Sequence, residues 1–213
     1  MKFSIEELRQ TRNGMTISRD SKLGNSTKVT YFSMGKDTSI SQESYDRMTM
    51  YIGASGWGEF IIGEEPEIIK LQPDELLIVP AGTLCGMQTS NGIVYTEIIC
   101  TGKDINMNAN VKTNEVFALK NLISYEEGSI ANMDVVSTPD MKYVLMAFDE
   151  GTGLTPHRAP GNAIVFALEG KATIGYEGKD YELSEGECFR FEKNGLHSVT
   201  ANGKFKMALL LVL

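Results

Sequence analysis

The chain has 213 residues, of which 42% are hydrophobic and 23% charged, the balance of a globular protein able to bury a core without metals or disulfides; global disorder is excluded. Its 28 acidic and 20 basic side chains leave a formal charge of −8, and lysine and arginine are scattered singly, which argues against a nucleic-acid or membrane-surface partner and for a small-molecule ligand. Three cysteines, Cys85, Cys100 and Cys188, form no CxxC pair and suit a reducing compartment. The start Met1-Lys2-Phe3-Ser4 has no basic segment followed by an apolar run, and no apolar stretch approaches the roughly 20 residues that cross a bilayer. The expected location is the cytoplasm.

In chain order, Ser4-Ile5-Glu6-Glu7-Leu8 reads as a short helix, with Glu7 three residues after Ser4 as in a capping box, and Asn13-Gly14 follows as a turn. A β-branched and aromatic strand is expected at 29–32, then short apolar runs at 48–54, 59–62, 67–71 and 75–79, and a closing strand at 93–100. The polar, unpatterned stretch 102–113 reads as a linker. The pattern then begins again. Residues 116–122 carry apolar side chains at helical spacing and lead to the turn Glu127-Gly128; strands are expected at 143–148, 163–168, 171–176, 180–183 and 187–191, with a closing strand at 205–213. Gly14 and Gly128 are 114 positions apart, as are Gly56 and Gly170, while Cys85 and His197 are 112 apart. Such near-constant offsets indicate a duplication with small loop changes. Short strands recurring about every ten residues indicate an all-β sandwich or barrel, and closing a barrel removes exposed edges.

Within the second half, Gly151-Thr152-Gly153-Leu154-Thr155-Pro156-His157 has a glycine, a spacer of five and a histidine. Gly186, followed after five residues by Glu192-Lys193-Asn194-Gly195-Leu196-His197, has a second. These stretches resemble the two motifs of the cupin family, G-x5-H-x-H-x3,4-E-x6-G and G-x5-P-x-G-x2-H-x3-N. The departures are specific. Ala159 stands at the second histidine and Ala163 at the glutamate of the first motif; Glu192 replaces proline, Asn194 replaces glycine, and Ala201 stands at the closing asparagine. The Asn194 exchange is mild, because Asn tolerates a left-handed turn. The first half resembles the same family more faintly: Pro80-Ala81-Gly82 keeps the turn, Cys85 takes the histidine position, and Gln42 or Glu43 takes the other.

The resemblance implies two tandem cupin-type antiparallel β-barrels of the double-stranded β-helix or jelly-roll kind, with short helices at the start of each half: residues 1–110, a degenerate N-terminal barrel, and 111–213, a C-terminal barrel. It implies a site in the C-terminal barrel. Cupins usually hold one divalent metal on three histidines and a glutamate, and His157 and His197, the chain's two histidines, both fall on ligand positions. Two imidazoles are fewer than the three or four protein ligands of a tight transition-metal site. One divalent metal (Zn, Fe, Mn or Ni) and a metal-free site in which the pair hydrogen-bonds a ligand therefore both stay open. Arg158 and Asn162 join the histidines as candidate ligand contacts, although Arg158 should point to the face opposite His157. Glu169 is a further candidate that more simply sits exposed before a turn glycine. Cys85 reads as a buried thiol, since its half lacks a histidine to activate it.

Three functions follow: a small-molecule-binding protein, a metal-dependent enzyme of dioxygenase or isomerase type, and an oligomerisation scaffold without catalysis. The expected assembly is a monomer or a homodimer. Because the fold serves many chemistries, it does not name a substrate.

Overall fold

The computed structural model describes residues 1–24, 27–102 and 104–213. The chain is all-β apart from a helical turn at Ile5–Leu8 and a 3-10 turn at Leu119–Asn121, and it divides into two compact units. One comprises 5–101 and 109–118; the other comprises 1–4, 102–108 and 119–213.

In the first unit the described strands form a six-stranded and a four-stranded antiparallel sheet. Apolar side chains alternate along the strands, so one face of each sheet turns inward, and Tyr51, Leu77 and Tyr95 of the larger sheet share a core with Phe60, Leu71 and Met87 of the smaller. The chain passes between the sheets at Gly56, where φ is +68° and a Cβ would lie 2.1 Å from the Gly92 carbonyl oxygen, so that glycine is required.

The second unit repeats the device. Expected strands at 163–168 and 171–176 run as one strand, Asn162–Tyr176, bent at Gly170, where φ is +75° and a Cβ would lie 2.1 Å from the Lys204 carbonyl oxygen. Register shifts on both sides of Gly170 mark bulges. The closing strand likewise begins well before 205, at Leu196. The described strands of this unit form one nine-stranded antiparallel sheet that folds over a core including Phe148, Ile174, Phe189, Phe191 and Phe205. Correspondence between the units extends to pairing. Tyr51 stands opposite Glu97 as Val165 stands opposite Leu209, and Phe60 opposite Met87 as Ile174 opposite Val199. The change of offset from 114 to 112 has a local cause: the four-residue turn between Gly58–Ile62 and Glu67–Leu71 becomes the two-residue turn Glu177-Gly178.

Two expectations need correction. The sheets are not closed barrels: the pairing leaves sheet edges, and in the first unit Gly56 hands the chain from one sheet to another instead of continuing a ring. The helical spacing at 116–122 does not give a helix. Val116–Ala118 pairs with Glu75, Leu76 and Leu77, and only Leu119–Asn121 turns helically, because strand pairing of a β-branched and aromatic segment overrides the weak helical signal.

Candidate functional site

His157 lies on Gly153–Arg158 and His197 on Leu196–Val212. The two strands are antiparallel neighbours, and after a bulge beyond Leu154 the histidines stand directly opposite each other. Their ring centroids are 4.2 Å apart with planes at 53°. Nδ1 of His157 lies 2.8 Å from the Thr155 carbonyl oxygen, and Nδ1 of His197 lies 3.0 Å from that of Gly195. A carbonyl only accepts, so each Nδ1 carries a proton and donates, which in a neutral imidazole leaves the lone pair on Nε2. His197 is 8% exposed and stacks on Phe191 at 4.2 Å. Burial pushes its pKa down, the Gly195 bond opposes this, and the neighbouring His157 adds to it. The imidazole is therefore neutral at pH 7.

The turn before His197 is held from several sides. Asn194 has φ +63°, the left-handed conformation that its place in the motif requires, and the matching Gly82 of the first unit has φ +76°. Asn162 accepts the Lys193 N–H at 2.7 Å through Oδ1. The Arg158 guanidinium donates to the Asn194 carbonyl and lies 3.9 Å from Glu177, whose Oε1 accepts the Leu196 N–H at 2.6 Å. Of the other motif positions, Ala159 and Ala163 are buried, Ala163 in the core. Glu169 accepts the Tyr125 hydroxyl at 3.0 Å and lies 3.9 Å from the Lys206 ammonium. Among the described residues, no group of three or more His, Cys, Asp or Glu side chains is placed to hold a metal ion.

In the first unit the corresponding pair is Glu43 and Cys85, directly opposite in register. Glu43 rather than Gln42 takes the position, since the Gln42 amide is bound to the carbonyls of Ile61 at 3.2 Å and Gly63 at 3.0 Å. Burial pushes the Cys85 thiol up to about 11, with a Tyr51 hydrogen bond opposing and Glu97 reinforcing, so it stays protonated and unreactive near neutrality. Glu43 and Cys85 open onto a cavity of about 80 Å³ that also reaches Glu97, Tyr51 and Tyr95. Sequence reasoning missed these last three. The available signal is a carboxylate inside the run 93–100, whose other side chains are uncharged.

Comparison with known proteins agrees with this architecture. Residues 144–213 match the Cupin domain family. The whole chain is similar in structure to a Cupin 2 conserved barrel domain protein from Leptotrichia buccalis, at 24% identity and TM-score 0.88, covering 100% of this chain and 96% of that one. It is also similar to a salicylate 1,2-dioxygenase from Pseudaminobacter salicylatoxidans, at 11% identity and TM-score 0.65, covering 88% and 71%. A third similar structure is the oxalate decarboxylase from Bacillus subtilis, at 12% identity and TM-score 0.59, covering 100% and 76%. No curated protein matches the sequence. The fold is therefore that of the cupins. Residues 144–213 match the family model, and for the rest of the chain the likeness is one of fold.

Proposed function

We propose that the chain is a bicupin that binds a small molecule, with His157 and His197 of the second unit as its polar anchors. The observation that carries this reading is the facing pair of imidazoles, each with its Nδ1 occupied by a backbone carbonyl and its Nε2 left for a ligand. Two Nε2 acceptors suit a ligand that donates, such as a hydroxyl or amine group. Phe191 fixes the His197 ring by stacking, and Asn162 and Arg158 act by holding the 192–195 turn, with Arg158 also at hand for an acidic group on the ligand.

The same arrangement favours a second reading. A metal-bound histidine donates its other ring nitrogen to a carbonyl or carboxylate, and both imidazoles do so. The pair supplies two ligands where tight sites use three or four, so a divalent metal here would need water or the small molecule to complete it. An enzyme of dioxygenase or decarboxylase type, as two of the structural neighbours are named, would rest on that metal.

One experiment separates the readings. Native protein and the His157→Ala/His197→Ala variant are analysed for metals by plasma mass spectrometry, and both are screened against a polyol and amine library by NMR. One equivalent of transition metal, lost in the variant, supports the metal reading. Metal-free protein whose histidine signals move with a library compound, in a way the variant abolishes, supports direct binding. Neither metal nor a histidine response would overturn both.

A further inference from the structure

The second unit fills its interior with aliphatic groups where the first unit places aromatic and acidic ones. At the register positions of Tyr51, Phe60, Tyr95 and Glu97, the second unit has Val165, Ile174, Met207 and Leu209. The first-unit cavity is walled by Phe32, Tyr45, Tyr51, Phe60 and Tyr95. Phe32 stacks on Tyr95 with centroids 5.0 Å apart, and Tyr51 sits 4.7 Å from Phe60 and 6.0 Å from Tyr95, so the rings form a continuous wall. Glu97 reaches the same space from the strand Ile93–Ile99. It is 5% exposed, and its carboxyl has no hydrogen bond or ion pair among the described residues. A second carboxylate, Glu43, lies at the rim, and among the described residues no lysine, arginine or histidine lines the cavity.

A buried carboxyl without a partner is costly, and a protein interior normally supplies one. Here the partner would have to enter the cavity, where it would meet electron-rich ring faces and two acids. We propose that this cavity is a binding site for a small organic cation, an alkyl- or methylammonium group held between Glu97 and the aromatic wall. The volume holds a few water-sized groups, enough for such a head group and too little for a large ligand. Ring faces attract a desolvated cation, and ammonium recognition by aromatic cages uses the same physics. The site is separate from the histidine pair and does not depend on it.

The charged and titratable groups around Glu97 give the site a signature. Burial pushes the Glu97 carboxyl up to about 7, with Lys28 acting against the shift. Burial and Glu97 in turn raise the hydroxyls of Tyr45, Tyr51 and Tyr95, Glu43 adds to the effect at Tyr45, and Cys85 stays a thiol. A cation binds the ionised carboxylate and expels its proton. Affinity must therefore rise with pH through this range, by about tenfold between one unit below and one unit above the titration. A carboxylic acid bound to the protonated Glu97 would do the opposite.

The test uses the full chain and three compounds that carry three methyl groups on one centre: trimethylammonium, the neutral tert-butanol and the anion pivalate, titrated by calorimetry and NMR below and above pH 7. Trimethylammonium is expected to bind best, to tighten with pH, to weaken at least tenfold in Glu97→Gln, and to be unaffected by His157→Ala/His197→Ala. Should Glu97→Gln disturb the fold, Tyr45→Leu at the half-exposed edge of the wall gives a second reading, with a loss of about two- to tenfold. The proposal is overturned by tert-butanol or pivalate binding as tightly, by affinity that rises as pH falls, or by no response to millimolar trimethylammonium.

Discussion

Single residues of this chain carry opposite protonation logic in the two units. His197 is held neutral by burial, against a carbonyl partner that favours the charged form, while Glu97 keeps its proton to about pH 7 because burial gives the charge nothing to replace water. The second effect has a consequence for stability. The native carboxyl is raised from 4.5 to about 7, so between those values the folded chain holds a proton that the unfolded chain has lost. Stability due to this group is fully present below about pH 4.5 and declines as pH rises to about 7, by up to about 3 kcal/mol at 1.36 kcal/mol per unit. Glu97→Gln keeps the shape and removes the titration. Urea unfolding at several pH values should show the variant gaining on the native protein across that window and holding its advantage above it; parallel curves would refute the assignment. His197 runs the other way, because its lowered pKa removes stability as acid charges the unfolded chain first. The residues legible in the sequence were those with a motif position or a scarce side chain: His157, His197 and Cys85 fell where their spacing put them, and Asn194 adopts the left-handed turn expected of it. Glu97 was not legible as a cavity group, because alternation places it on a face without saying that the face encloses a space.

At the level of elements, the strands that the sequence marked are those with two apolar faces or a clean inward face, such as Glu67–Leu71 and Glu75–Val79. The strands Thr16–Asp20, Thr38–Ser44 and Gly153–Arg158 escaped notice, since their side chains are mostly polar and exposed and they are ordered by ladder hydrogen bonds to a better-marked neighbour. That is why His157 could be assigned to a motif without being assigned to a strand. The bend in Asn162–Tyr176 resembles a break in the sequence for the same reason that it works as a bend: a glycine with positive φ looks like a turn even when pairing continues through it. Two glycines separate the causes. Gly178 has φ +78° and open space around it, so Gly178→Ala should cost about 1–2 kcal/mol from the left-handed backbone alone. Gly170 has φ +75° and a carbonyl in the place of the missing Cβ, so Gly170→Ala should cost roughly 4 kcal/mol or more. Equal melting shifts in the two variants would refute the role given to close approach.

For the whole molecule, compact units and sequence halves do not coincide at their edges. Val116–Ala118 covers the free side of Glu75–Val79 in the first unit, and Val111, in the same segment of that unit, is buried. A fragment of residues 5–118 should therefore unfold cooperatively, whereas 5–110 leaves an apolar strand edge exposed and should melt lower or aggregate. Identical melting of the two fragments, followed by circular dichroism and light scattering, would show that the added strand contributes nothing. The same partition gives the chain an unplanned convenience for spectroscopy. Its single tryptophan, Trp57, with the Lys70 ammonium 4.0 Å over its ring, lies in the first unit, and both of its histidines lie in the second. Stacked on Phe191 at 4.2 Å, the His197 ring protons fall within an aromatic ring current and should resonate upfield of those of His157. Indole fluorescence and a one-dimensional proton spectrum would thus report on the two units separately, in native protein that carries no label.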